Sequence, residues 1–223
     1  MSESGSIDFF TSFRAADLLF LLEAAGRTLL ISVLGIAGGT VLGIVFGWLL
    51  SIGRWYGAAT LGWVLDVFRS VPLIIQLVLF FNFFPIIGFP LNPFGAGTLV
   101  LVMYTSALVA QVARSGIESV PGPTRRAARS LGMTYWQDLR YVVWPVGIRA
   151  VLPSWAGVAL GVLKDTALVS VLGYMELLRA SQILITRTQE PFLVLAIVGA
   201  FYFALSFPIA RFTERLERRW SHD

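Results

Sequence analysis

The stretch TLLISVLGIAGGTVLGIVFGWLLSIG, residues 28–53, runs for 26 residues between Arg27 and Arg54 without a charge. A helix rises about 1.5 Å per residue, so about 20 apolar residues cross the hydrocarbon core of a bilayer, and a slightly longer run crosses it with a tilt. Such a run reads as a membrane span. Within it Gly35, Gly39, Gly43 and Gly47 recur every four residues. On a helix this spacing makes one smooth stripe that a second backbone can approach closely. The stripe suits either fixed packing against a neighbouring helix or a face that slides past one.

The pattern repeats outward from this span. Residues 70–113 are 44 in a row without a charge, too long for one helix, and Pro85, Gly88, Pro90 and Pro93 punctuate them. They predict spans over 61–84 and 98–115, joined by a short uncharged turn. Apolar runs at 150–163 and 166–175 flank Lys164 and Asp165 and predict a fourth span; residues 191–210 predict a fifth. Composition agrees. Of 223 residues, 57% are hydrophobic and 13% charged, with a mean hydropathy of +0.77. Soluble proteins carry about 25% charged residues. Half the charge needed for a water-facing surface is missing, which excludes a soluble globular domain and a disordered or nucleic-acid-binding chain. The reading is an all-α integral membrane protein of five transmembrane helices.

The chain has no cysteine, which removes disulfides, thiolate metal sites and cysteine nucleophiles, and its one histidine is His222. No nucleophile–base pair and no phosphate-binding G-x-x-x-x-G-K loop is present, so the chain cannot hydrolyse ATP alone. The first 23 residues hold Glu3, Asp8, Asp17 and Glu23 against Arg14, unlike a cleaved signal peptide. The net charge of +4 matters less than its placement. Arg54, then Arg114, Arg125, Arg126, Arg129, Arg140 and Arg149, then Arg211, Arg215, Arg218 and Arg219 fall on one side of five spans. Arg14, Arg27, Arg179 and Arg187 fall on the other. The positive-inside rule then predicts an outside N-terminus and a cytoplasmic C-terminus. The domains expected are an extracytoplasmic segment 1–27, a five-span transmembrane domain 28–215 and a cytoplasmic tail 216–223.

Residues 114–153 are the polar exception. Pro121 and Pro123 open a short helix, with Thr124 as N-cap and Gly132 as its stop, and a second short helix follows over 133–143, ended by Pro145. A helix–Gly–helix elbow over 121–145 is a compact knob. It either docks on a cytoplasmic partner or lies on the anionic inner leaflet.

This elbow carries a family resemblance. Ala127-Ala128-x-x-Leu131-Gly132, followed by Trp144-Pro145 and Leu152-Pro153, resembles the EAA loop of ABC importer permeases. FRSVPLIIQ at 68–76 resembles the "FRGTPLLVQ" segment of the polar amino-acid branch. AQVARSGIESVP at 110–121 resembles its "AEIFRGGIQSVP", and KDTALVS at 164–170 its "KDTSLVS". The set spans 28–215 in the family's order and is similar to the histidine/arginine/glutamine/glutamate type of permease. The resemblance implies a type I ABC importer permease fold and a bacterial plasma (inner) membrane protein. It implies alternating access driven by a cytoplasmic ABC ATPase dimer that binds ATP and Mg, a second permease subunit, identical or paralogous, and an extracytoplasmic substrate-binding protein. No cofactor in this chain is implied. It also implies that Arg125, Arg126, Ala127, Ala128, Leu131, Gly132, Tyr135 and Trp136 meet the ATPase. The departures are local: Arg126 stands where the family has the glutamate of EAA, Pro123-Thr124 where it has Gly-Gln, Gln111 for the acid of "AE", and Gly157 where Asn is common. The different-class alternative is a self-sufficient secondary carrier or channel.

Arg69, Lys164 and Asp165 are charges inside predicted spans. Each costs on the order of 2.5–3.5 kcal/mol to insert, so each needs a partner or water. With Gln76, Gln111 and Thr166 they make the expected substrate path or intersubunit seam; a structural pair of Arg69 with Asp165 is the other reading. Phe80, Phe81, Phe83 and Phe84 read as packing or lipid-facing residues, with a gate as the less expected role.

Overall fold

The computed structural model describes residues 13–53 and 55–220. The charge of Arg54, the acids Glu3 and Asp8, and His222 therefore lie outside the described residues. Among the described residues every regular element is helical: α1 (Ala15–Ile52), α2 (Trp55–Ser70), α3 (Leu73–Ile86), α4 (Pro93–Glu118), α5 (Gly122–Ser130), α6 (Tyr135–Asp138), α7 (Trp144–Asp165), α8 (Leu177–Thr188) and α9 (Pro191–Trp220). A π-helical turn, Leu139–Val143, joins α6 to α7, and a 3₁₀ segment, Thr166–Leu172, continues α7.

α1 begins 13 residues before the charge-free run, so the second half of the expected N-terminal segment is helix. The charges there do not stop it because they are partnered. Asp17 takes the backbone N–H of Arg14 and an ion pair from Arg187 on α8, and Glu23 pairs with Arg27 one turn on. The apolar side of this extension, Leu21 and Ala24, packs on Leu177, Leu184 and Val194 from α8 and α9. Further along, Gly35, Gly39, Gly43 and Gly47 are all buried against α4. A Cβ on Gly43 would stand 2.6 Å from Val109 Cβ, and one on Gly47 2.6 Å from the Ala110 carbonyl. The stripe is therefore a packing face within the subunit.

The helix expected over 61–84 is two helices. α2 and α3 meet at 106° across Val71 and Pro72. Pro72 has no N–H to give, and its ring forces the preceding residue out of helical geometry. Among the described residues four helices are long and apolar enough to cross a membrane, and the bent pair counts as a fifth only if taken as one span. α4 starts at Pro93, five residues before its expected start, where Asn92 Oδ1 accepts the Gly95 N–H. α9 runs past Ala210 because Glu214 pairs with both Arg211 and Arg218. The central core joins Ile31 of α1, Leu77 of α3, Val100 and Leu101 of α4, Val162 of α7 and Val169 of the 3₁₀ segment. Leu65 of α2 reaches Ala107 and Ala110 of α4 in a smaller cluster.

Two expectations for the elbow are corrected. Thr124 is not the N-cap: α5 starts at Gly122, with Pro123 in its first turn, where a missing N–H costs nothing. Pro145 does not end a helix. It lies in the first turn of α7, and the π turn before it absorbs the mismatch, so 135–172 run as one continuous helical rod.

Candidate functional site: the elbow and a polar cavity

The elbow is built from α5, a turn and α6. Gly132 takes φ +86°, a backbone that costs a side-chain-bearing residue strain and glycine nothing. The turn is closed by the Met133 N–H donating to the Ala128 carbonyl at 3.2 Å. Thr134 then caps α6 reciprocally with Gln137. Across the turn, Arg125 donates through Nε (3.0 Å) and Nη2 (2.9 Å) to Oδ2 of Asp138, whose side chain is 0% exposed. Sequence reasoning missed Asp138. It is the one acid between Glu118 and Asp165, and that isolation among arginines was the available signal.

The knob is fastened to the membrane helices. Trp48 near the end of α1 donates from Nε1 to the Tyr135 hydroxyl at 3.1 Å, and its ring lies 5.6 Å from that of Trp136. Tyr135 also receives the Arg129 guanidinium over its ring face at 5.6 Å. Among the expected coupling residues, Ala128 is buried in the elbow and Arg125 and Tyr135 are half-buried. Arg126, Ala127, Leu131 (83% exposed) and Trp136 (62%) face outward.

The second expected group separates into three places. Arg69 and Gln111 come together: Arg69 Nη1 donates to Gln111 Oε1 at 3.5 Å, and Nη2 pairs with Asp66 at 2.7 Å. They line a cavity of about 740 Å³ between α2 and α4, with Gly62, Ala107 and Arg114. The expected alternative pairing of Arg69 with Asp165 is thus corrected; Asp66, three residues earlier on the same helix, holds the guanidinium instead. The sequence signal for Asp66 was that spacing. Gln76 is buried at the bend, where Nε2 donates to the carbonyls of Phe68 and Val71 at 2.7 Å each. These carbonyls lost their helical partners at Pro72, so Gln76 braces the break. Lys164, Asp165 and Thr166 sit where α7 tightens into the 3₁₀ segment. Lys164 is exposed, Asp165 half-buried near Tyr104, and the buried Thr166 donates to the Leu163 carbonyl at 2.7 Å. Phe80 and Phe81 pack on the core, while Phe83 is exposed.

An all-helical membrane chain carrying a stiff polar knob between its spans has a clear counterpart among known proteins. Residues 39–222 match the family described as "binding-protein-dependent transport system inner membrane component". The chain belongs to this family. Among its relatives, the glutamine transport system permease protein GlnP of Escherichia coli is 30% identical over 201 residues, covering 89% of this chain and 92% of that one. The probable glutamine ABC transporter permease protein GlnM of Bacillus subtilis is 32% identical over 197 residues, covering 86% and 89%. The crystal structure of an amino acid ABC transporter with histidines superposes with a TM-score of 0.82 at 30% identity, over 91% of this chain and 94% of that one. The MetNI methionine ABC transporter, at 19% identity and TM-score 0.76, shares the fold. The permease is therefore of the type I importer fold, a multi-pass membrane component whose family works with a separate ATPase. These relatives give no support to a self-sufficient carrier or channel.

Proposed function

We propose that this permease is the membrane subunit of an importer for polar amino acids or closely related small solutes, with ATP and Mg bound by a separate cytoplasmic ATPase dimer that seats on the α5–Gly132–α6 elbow. A second permease subunit completes the path, and an extracytoplasmic binding protein delivers the solute. The C-terminus and elbow face the cytoplasm. The observation that carries this reading is the fastening of an exposed knob to a span: Trp48 holds Tyr135 by a hydrogen bond and Trp136 by ring contact, so a push on the elbow reaches α1, and through its glycine stripe α4. Arg125, Arg126, Ala127, Ala128, Leu131, Gly132, Tyr135 and Trp136 make this coupling unit. Arg69, Gln111, Lys164, Asp165 and Thr166, with Gln76 behind them, make the path or the seam between permeases. The exposed Lys164 and the Asp66–Arg69–Gln111 group offer both signs of charge, which suits the carboxylate and ammonium of an amino acid. The amino-acid substrates of GlnP and its relatives support this class.

The test uses the complex reconstituted in vesicles with its ATPase and binding protein. Gly132→Val forces a β-branched residue into left-handed backbone. Solute uptake and substrate-stimulated ATP hydrolysis should fall together while the complex still assembles. Normal uptake and stimulation in this variant would sink the coupling role.

A further inference from the structure

The elbow's charges do not balance. Between Glu118 and Asp165 the chain carries Arg125, Arg126, Arg129, Arg140 and Arg149, plus Lys164, against Asp138 alone. Asp138 is fully buried and already taken by Arg125. Arg129 rests on Tyr135 and Arg140 on Tyr141. Arg126 is exposed on the outward side of α5, and among the described residues no acid pairs with it. On its face of α5 lie Gly122, Pro123 and Ser130, with Arg129 drawn away onto the Tyr135 ring. A cation held on a stiff helix, flanked by side chains too small to keep a partner at a distance, is a contact for an opposite charge at short range.

We infer that the surface receiving this elbow is acidic: the ATPase that drives this permease presents Asp or Glu side chains to Arg126. The inference rests on the proposal that an ATPase seats here, and adds the sign of the seat. An anionic bilayer would also attract arginine, but α5 is not built to lie on one. A membrane-surface helix needs a broad face of large apolar residues to sink among the lipids. The sequence of α5, GPTRRAARS, has nothing apolar larger than proline. The large apolar side chains that the elbow does expose, Leu131 and Trp136, lie beyond α5 in the turn and on α6, so α5 itself offers a bilayer little but its charge.

The experiment reconstitutes the permease with its ATPase in vesicles of phosphatidylcholine alone and in vesicles with added phosphatidylglycerol. Retention of the ATPase and its stimulated activity are measured against ionic strength for wild type, Arg126→Lys, Arg126→Gln and Arg126→Glu. Placing like charges together at a seat costs enough that ATPase affinity should fall about tenfold or more in Arg126→Glu and less in Arg126→Gln, with Arg126→Lys near wild type. The loss should appear in both vesicle types, and salt should weaken the wild-type complex more than the Arg126→Glu complex. An acid-to-arginine change in the ATPase's elbow seat should restore association with Arg126→Glu. Exposure of Arg126 lets these variants fold, and monodisperse gel filtration checks it. Wild-type affinity in Arg126→Glu overturns the inference, as does a loss confined to vesicles with phosphatidylglycerol. If wild-type permease itself retains no ATPase, the coupling proposal falls, and this inference with it; that outcome is read before any variant is made.

Discussion

Residue scale separates side chains that hold the fold from those free to meet a solute. Gln76 stood among the expected path residues because it is polar inside a span. Its Nε2 is spent on the two carbonyls that Pro72 strands at the bend, while its Oε1 is buried without a protein partner. Gln76→Leu should leave both part-buried carbonyls without this partner and lower stability by about 1 kcal/mol, read as a lower melting temperature in detergent. Uptake per folded molecule should keep its KM; a raised KM at unchanged melting temperature would return Gln76 to the path. Lys164 behaves oppositely. It is exposed, and among the described residues no acid lies within ion-pair range. Set where α7 passes into the 3₁₀ segment of an apolar span, such a charge needs water, solute or a neighbouring subunit. Lys164→Met keeps length and removes charge. Transport should fall with assembly and basal ATP hydrolysis intact if Lys164 meets solute, and assembly should fall instead if it pairs across the seam. A variant normal in both respects would exclude it from path and seam alike.

Element scale shows what was legible in the chain and what was not. The glycine stripe of α1 was readable as a close-approach face, and α4 fills it. Gly43→Leu should overpack against Val109 and cost about 1–3 kcal/mol, whereas Gly199→Ala on α9, with open space around its Cβ, should be neutral or slightly stabilising. Thermal unfolding of the two variants side by side checks this; equal melting temperatures would mean α1 and α4 do not pack as described. Gly132 as a turn was equally plain. The break at Val71-Pro72 was missed because the span was laid out by length and hydrophobicity across Asp66 and Arg69, and neither measure sees a corner that the missing N–H of Pro72 creates. The true starts of α1 and α4 were missed for the converse reason. Paired charges and a capping asparagine extend a helix beyond its apolar stretch. Arg69 was read as needing a distant acid when one lay three residues away, and Asp138 was passed over because burial of a lone acid depends on a fold-back that spacing does not reveal.

At the scale of the whole molecule, the coupling proposal turns on orientation. Eleven arginines on one side against four on the other predict a cytoplasmic C-terminus. A reporter active only outside the cytoplasm, fused after Asp223, should be silent. Activity there would place the elbow on the wrong side for an ATPase.

The unbroken run from Tyr135 to Leu172 has a mechanical meaning. At about 1.5 Å per residue, Lys164 rides some 44 Å from the elbow end, so a tilt of about 5° at the seat would swing it by about 4 Å, close to the width of a small solute group. Under the proposed coupling, the knob and the deep charges act as the handle and the tip of one lever. Their gearing is set by a count of residues: one inserted residue in the shaft would turn Lys164 and Asp165 by about 100° about the axis without touching a contact at the handle. The stroke would still arrive, aimed in another direction.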